Sequence, residues 1–218
     1  MSSATVYATD IGNSFLKKAS TTLNDVLVAT DATGKSTTVN SYPGLWLSPT
    51  TSYTVNQFLL SFDLSTIPGG STITTAVFTT TNTGTHTAGD SGSQLELVPF
   101  DWGSTVDLSD YVTKTEYSAL TAVATYSLVP TLANGDVMTF TSGAPLIANL
   151  LAGGTSKFML CNKAFRDGTT PTSENSHSTN IYACTNPVAS VRPTLTITYT
   201  AGGGGGTTYN ATFFGSNF

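Results

Sequence analysis

The sequence predicts an all-β fold, a threonine-rich antiparallel β-sandwich, and three observations lead there. Strand-like runs recur along the 218 residues at intervals typical of sandwiches. The strongest runs alternate apolar and polar residues with the period of two that belongs to a strand. No long amphipathic helix competes with them. A chain of this length can bury a full core in one domain. The organisation predicted is a sandwich over residues 1–200, followed at 201–218 by a glycine linker and an aromatic C-terminal segment.

Strands are predicted at 5–9, 25–30, 55–64, 71–81, 94–100, 122–128, 136–140, 157–162, 180–184 and 194–200. The clearest is 55–64: Phe58, Leu60, Phe62 and Leu64 share one face and Ser61 and Asp63 the other, the pattern of a half-buried strand. Ile67-Pro68-Gly69-Gly70 stops it, because Pro68 fixes φ and lacks an N–H while glycine tolerates positive φ. Ala76, Phe78 and Thr80 then alternate with Val77 and Thr79, with β-branched residues suited to a pleated surface. In the last strand Leu195, Ile197 and Tyr199 alternate with Thr194, Thr196 and Thr198. Asn134-Gly135 is a type I′ turn signal that predicts a hairpin. Two short helices fit, one within 108–120 and one at 144–151 with Pro145 in its first turn, as lids over the open ends of the sandwich.

Composition excludes several classes. Charged residues make up 10 % of the chain, against about 25 % in an average soluble domain, so Ser and Thr carry the surface. Net charge is −5 and the basic residues are scattered apart from Lys17-Lys18. That leaves no basic patch to displace counterions from phosphate, hence no nucleic-acid partner. No apolar run approaches the ~20 residues of a membrane span, so no membrane partner is expected. The amino terminus, MSSATVYATDIGNSF, has neither a basic n-region nor an apolar h-region. Synthesis in the cytoplasm without a secretory signal is the expectation. Cys161 and Cys184 fall in or near strands, and two buried free thiols are expected in preference to a disulfide.

Residues 82–92 and 166–178 are polar and punctuated by Gly or Pro, and are expected to be exposed loops. After Tyr199 the chain changes character. Five glycines, 202–206, form a linker with no side chain to pack. Tyr209, Phe213, Phe214 and Phe218 then crowd four aromatics into a dozen residues, whereas disordered tails are poor in aromatics. The pattern is that of an anchor that docks into another subunit by adding a strand or filling apolar pockets. Folding back onto its own domain is the other reading.

Catalytic chemistry finds little support. His86 and His177 sit in polar segments without zinc spacing, and no nucleophile elbow, P-loop or dinucleotide fingerprint occurs. No cofactor is expected. Asp101, Asp107 and Asp110 surround Trp102 and resemble a source of calcium oxygens, but capping of a short helix by Asp107 or Ser109 accounts for them more simply. Trp46 and Tyr42 are the aromatics best placed to stack on a glycan, although packing is the commoner role of such residues and the reading preferred for Trp46 too; Trp102, beside Leu97-Val98-Pro99-Phe100, reads as core.

FDLSTIPGGSTITTAVF resembles the signature of the DNRLRE-type domain, a jelly roll related to carbohydrate-binding modules. The matching residues are Phe62, Asp63, Leu64, Ser65, Ile67, Pro68, Gly70, Ile73 and Ala76. Asp101-Trp102 is similar to that family's mid-domain pair, Lys157-Phe158 to the strand after its short helix, and residues 192–199 to its closing strand. The resemblance implies a jelly roll, and a context either in secreted multidomain proteins or in structural proteins of tailed phages. With no signal peptide and an aromatic tail on a glycine tether, the sequence fits the second. The expectation is a non-enzymatic virion protein, a capsid-decoration, head-fibre or tail-associated subunit. Its partners would be other capsid or tail subunits and further copies of itself. Adhesion to a host glycan is the alternative.

Overall fold

The structure, a computed structural model, describes residues 1–9, 15–36, 40–41, 43–47, 52–84, 86–87, 93–128, 131–171 and 177–202. Eight strands build the sandwich: β1 (Ser2–Tyr7), β2 (Tyr53–Asp63), β3 (Thr72–Thr81), β4 (Gln94–Pro99), β5 (Ala124–Ser127), β6 (Val137–Thr139), β7 (Thr155–Asn162) and β8 (Thr194–Thr200). The smaller sheet has the order β1-β8-β3-β6. The heart of the larger has the order β2-β7-β4-β5. An order of 1-8-3-6 facing 2-7-4-5, with every pairing between named strands antiparallel, is that of a jelly roll. The chain crosses between sheets at almost every step, which places its first and last strands side by side.

The larger sheet is extended at both ends. Thr141–Ser142 pairs beyond β5, while Phe15–Ser20 pairs with β2 and then with Gly34–Ser36. Gly44–Leu47 pairs with the first half of β2 and with His177–Ser178. The sheet reaches nine strands against four in the smaller.

Between the sheets lies an aromatic core. Phe62 meets Phe78 and Phe158 edge-on at 6.1 and 6.2 Å, and Phe78 meets Phe140 at 4.8 Å. Leu60, Leu97, Leu160, Leu195 and Ile197 fill the space around them, all fully buried. Leu60 and Phe62 of β2, Phe78 of β3, and Leu195 and Ile197 of β8 are inward positions that the alternation in those strands predicts.

The other face of the larger sheet is not open to solvent. A second core joins Val55, Leu59, Val98 and Met159 of that face to Trp102, Val106, Tyr111, Tyr117 and Phe165. Helices α1 (Leu23–Val28), α2 (Lys114–Ala119) and α4 (Lys163–Asp167), together with the segment 100–113, supply the cover. β2 is therefore buried on both faces, not half-buried, and Ser61 lies inside with the rest. Fully buried Gln57 acts as a backbone surrogate for this layer. Its amide donates to Val112 O at 2.8 Å and accepts from Val112 N at 3.0 Å. The Tyr111 hydroxyl donates to Val26 O at 2.9 Å, which ties α1 to the same layer.

Several expectations change. Residues 25–30 form no strand: Thr22 caps α1, its hydroxyl accepting the Asp25 N–H, and the apolar run Val26-Leu27-Val28 is spent on one helical turn over β2. The interval 108–120 divides into a 3₁₀ turn at Leu108–Asp110 and α2, whose Thr113/Glu116 capping box starts the helix. This helix covers a sheet face rather than an open end. Helix α3 (Ala144–Ala148) does close the inter-sheet core, with Leu146 fully buried and Ile147 and Leu150 packed beside it. A turn forms at Asn134-Gly135, closed by the Asp136 N–H on Ala133 O. No hairpin follows, because Thr131–Leu132 pairs with His86–Thr87 and β6 pairs with β3. Asn82 enforces this split: buried rather than looped out, it donates to both Gly84 O and Ala133 O.

Candidate functional site

The predicted site residues lie in two regions of unequal visibility. Trp46 pairs with Thr54 through its backbone in Gly44–Leu47. Its side chain, Tyr42, and the anchor residues Tyr209, Phe213, Phe214 and Phe218 lie outside the described residues. What is visible is the surface from which the anchor segment departs, and a groove on the larger sheet.

The departure point is the end of β8, a central strand of the smaller sheet. The backbone of Gly202 lies directly on the Gly70 carbonyl, so a side chain there would collide with the turn between β2 and β3. Glycine at 202 is thus a packing requirement as well as the start of a linker. The outward face of this sheet follows from register. Ser3 is opposite Thr198, which is opposite Thr75; Thr5 is opposite Thr196, which is opposite Val77; Tyr7 is opposite Thr194, then Thr79 and Thr139. None of the four strands contains a charged residue. Tyr7, Val77 and Val137 are exposed on it. A protein of net charge −5 therefore carries one face that is all hydroxyl, methyl and aromatic.

The groove, of about 490 Å³, is open to solvent and lined by Pro99, Phe100, Asp101, Asn149, Leu151, Thr155, Ser156 and Lys157. Lys157 of β7 organises it: its ammonium donates to Asp101 Oδ1 at 2.7 Å and to Gly103 O, and lies 5.2 Å from the centre of the Trp102 ring. Asp101 also accepts the Gly103 N–H at 2.9 Å. The Lys157 hydrogen bond and then that backbone N–H hold the Asp101 carboxyl below the usual carboxylate range. Trp102 is buried beneath, as its apolar neighbours predict. Asn149 is engaged with Pro145 O, so the groove offers a neutralised ion pair and exposed Leu151 rather than an unpaired acid or base.

The three carboxylates near Trp102 go separate ways. Asp110 accepts the Asp107 N–H at 2.7 Å, the capping arrangement expected for a short helix, and Asp107 lies 3.5 Å from Lys35. Among the described residues no group of three His, Cys, Asp or Glu side chains is placed to hold a metal. His86 and His177 lie in short strands through their backbones. Cys161 and Cys184 are buried, one in each core, and no disulfide joins them. Burial pushes the Cys161 thiol up to about 12.

Comparison with protein-family models and with curated proteins finds no match to this chain.

One constellation escapes sequence reading. Arg166, expected in an exposed loop, belongs to α4, and its Nε donates to Glu96 Oε2 of β4 at 2.8 Å. Its Nη1 donates to the carbonyls of Tyr117, Ser118 and Leu120, which close α2. The guanidinium lies 4.7 Å from the centre of the Tyr117 ring. Glu96 is 4 % exposed. The available signal was Glu96 itself, a carboxylate inside the apolar run Leu95-Glu96-Leu97-Val98, which requires a cation on its side of the strand. The chemistry is structural: the pair locks α2 and α4 to the sheet.

Proposed function

We propose that this protein is a non-enzymatic structural component of a tailed-phage particle, a capsid-decoration, head-fibre or tail-associated subunit held in place by its C-terminal segment. The observation that carries the reading is how the chain leaves the fold. Gly202 is seated against Gly70 at the rim of an uncharged sheet, and the glycines that follow lead to Tyr209, Phe213, Phe214 and Phe218. Aromatic side chains are the usual anchors of interfaces, and a glycine tether lets them reach a neighbour without moving the domain. The phage context rests on the resemblance of residues 62–76, 101–102, 157–158 and 192–199 to the DNRLRE-type domain.

Deleting residues 203–218 tests the reading. The truncated chain is expected to fold and remain soluble yet be missing from purified particles. Incorporation at full occupancy overturns it.

Adhesion to a host glycan is a second reading, favoured by the groove, where apolar Phe100 and Leu151 stand beside the Asp101–Lys157 pair and Asn149. A glycan array with wild type, Trp46→Ala and Asn149→Ala separates the two. Sugar binding lost in a variant supports adhesion, and silence of the wild type removes it.

A further inference from the structure

The smaller sheet has an open edge. β1 pairs with β8 on one side, and among the described residues no strand pairs with the other. The Ala8 N–H donates to Pro193 O, which places the even-numbered residues of β1 in the hydrogen-bonded positions opposite β8. In an antiparallel ladder these positions alternate, so the N–H and C=O groups of Ser3, Thr5 and Tyr7 point to the open edge. Natural sheets blunt such edges with Lys, Pro or a bulge. β1, SSATVY, has none of these over six residues.

The chain beyond residue 202 carries a matching pattern. Tyr209, Ala211 and Phe213 alternate with Thr208, Asn210 and Thr212, the period of a strand with one apolar and one polar side. Ala211-Thr212 repeats Ala4-Thr5 of β1, and Phe213 and Phe214 stand where β1 has Val6 and Tyr7. In β1 the apolar side, Ala4 and Val6, packs on the core and the polar side continues the threonine face. A strand laid beside it would extend both layers, and like β1 it carries no charge.

We propose that residues 207–214 of one copy add as an antiparallel strand to the open edge of β1 in a second copy. Direction selects the second copy. β8 runs antiparallel to β1, so its own continuation, turning back along the far side of β1, would run parallel to it. The pairings between the named strands are all antiparallel, and parallel pairing is the weaker per residue. Length does not forbid the return, since five glycines span about 17 Å against the ~9.6 Å of two strand spacings. The edge of another copy accepts either direction, and the antiparallel one matches the sheet. Head-to-tail addition closes as a ring or a reciprocal exchange, or continues as a chain.

This inference rests on the proposed role of the C-terminal segment as the docking element, and its test separates the two. Sedimentation of the full chain over a range of concentrations is expected to show association that deletion of 203–218 abolishes. Thr5→Pro removes an edge N–H without touching the β8 ladder, and is expected to weaken association at least tenfold with near-ultraviolet circular dichroism unchanged. Tyr209→Ser/Phe213→Ser, which leaves the sandwich sequence intact, has the same effect. Mixing the Thr5→Pro chain, with tail but no edge, and the 203–218 deletion, with edge but no tail, restores a heterologous complex. Association that survives Thr5→Pro, or failure of the mixture to pair, overturns the edge assignment. A wild-type chain that stays monomeric at every concentration overturns docking between copies. If deletion of 203–218 still empties the particle of this protein, the anchor reading stands without it.

Discussion

Replacing Arg166 by Ala attacks the fold where the helical layer meets the sheet. The guanidinium neutralises Glu96, donates to three carbonyls at the end of α2 and stacks on Tyr117. Its side chain is 17 % exposed and that of Glu96 5 %, so the substitution strands a carboxylate away from water. Removing one partner of a buried pair costs about 3–5 kcal/mol, most of it from the charge left behind. For a domain of this size each kcal/mol moves the melting temperature by roughly 2–4 °C, so a fall of about 6–20 °C is expected. Calorimetry and urea unfolding at pH 7 measure it. The double variant Arg166→Ala/Glu96→Gln isolates the cause, since the stranded charge is gone. It is expected to recover about 1–2 kcal/mol relative to the single variant. A loss below about 1 kcal/mol for Arg166→Ala, or no recovery in the double variant, refutes the argument that this pair holds the layer.

Gln57→Ala leaves the Val112 N–H and C=O unpaired inside the protein, and about 2–4 kcal/mol of stability is expected to go. Hydrogen exchange should accelerate first in 108–120, which identifies the helical layer as the part released. Phe78→Ala removes the ring between Phe62 and Phe140 and is expected to cost about 3–5 kcal/mol by urea unfolding. Alkylation at pH 8 should modify neither Cys161 nor Cys184 in the native protein, because both are buried, and both after denaturation. Above pH ~8.5 the unfolded chain releases its thiol protons while folded Cys161 holds its own to about 12, and buried Tyr111 and Tyr117 are raised for the same reason. The folded state then binds more protons than the unfolded, so the contribution of these groups is constant below that pH and is lost as pH rises above it. Urea midpoints between pH 7 and 11 check the sign.

The sandwich was legible wherever one face of a strand decides its sequence. β3 and β8 show a clean alternation because their outer face meets solvent, and the bounds of β8 coincide with those predicted. β2 misleads for the opposite reason. Ser61 and Asp63 look like a solvent face, but α1, α2 and the 100–113 segment cover that face at Val55, Gln57 and Leu59, and a polar side chain with satisfied partners, such as Gln57, is silent in a periodicity argument. Short elements were lost to composition: Val26-Leu27-Val28 has β-branched residues, yet the Thr22 cap and the cover it provides to β2 make one helical turn of it. At the groove, the Asp101-Trp102 pair was visible as a motif. Its meaning was not, because Lys157 lies 56 residues away and only strand pairing brings the two together.

The proposed function requires that the C-terminal segment be the element that docks, and a peptide of residues 207–218 tests that directly. Particles assembled with the full-length protein and an excess of this peptide are expected to lose the protein in proportion to peptide concentration. A control peptide with Tyr209, Phe213, Phe214 and Phe218 replaced by Ser should have no effect. Undiminished incorporation at saturating native peptide, or equal inhibition by both peptides, contradicts the claim.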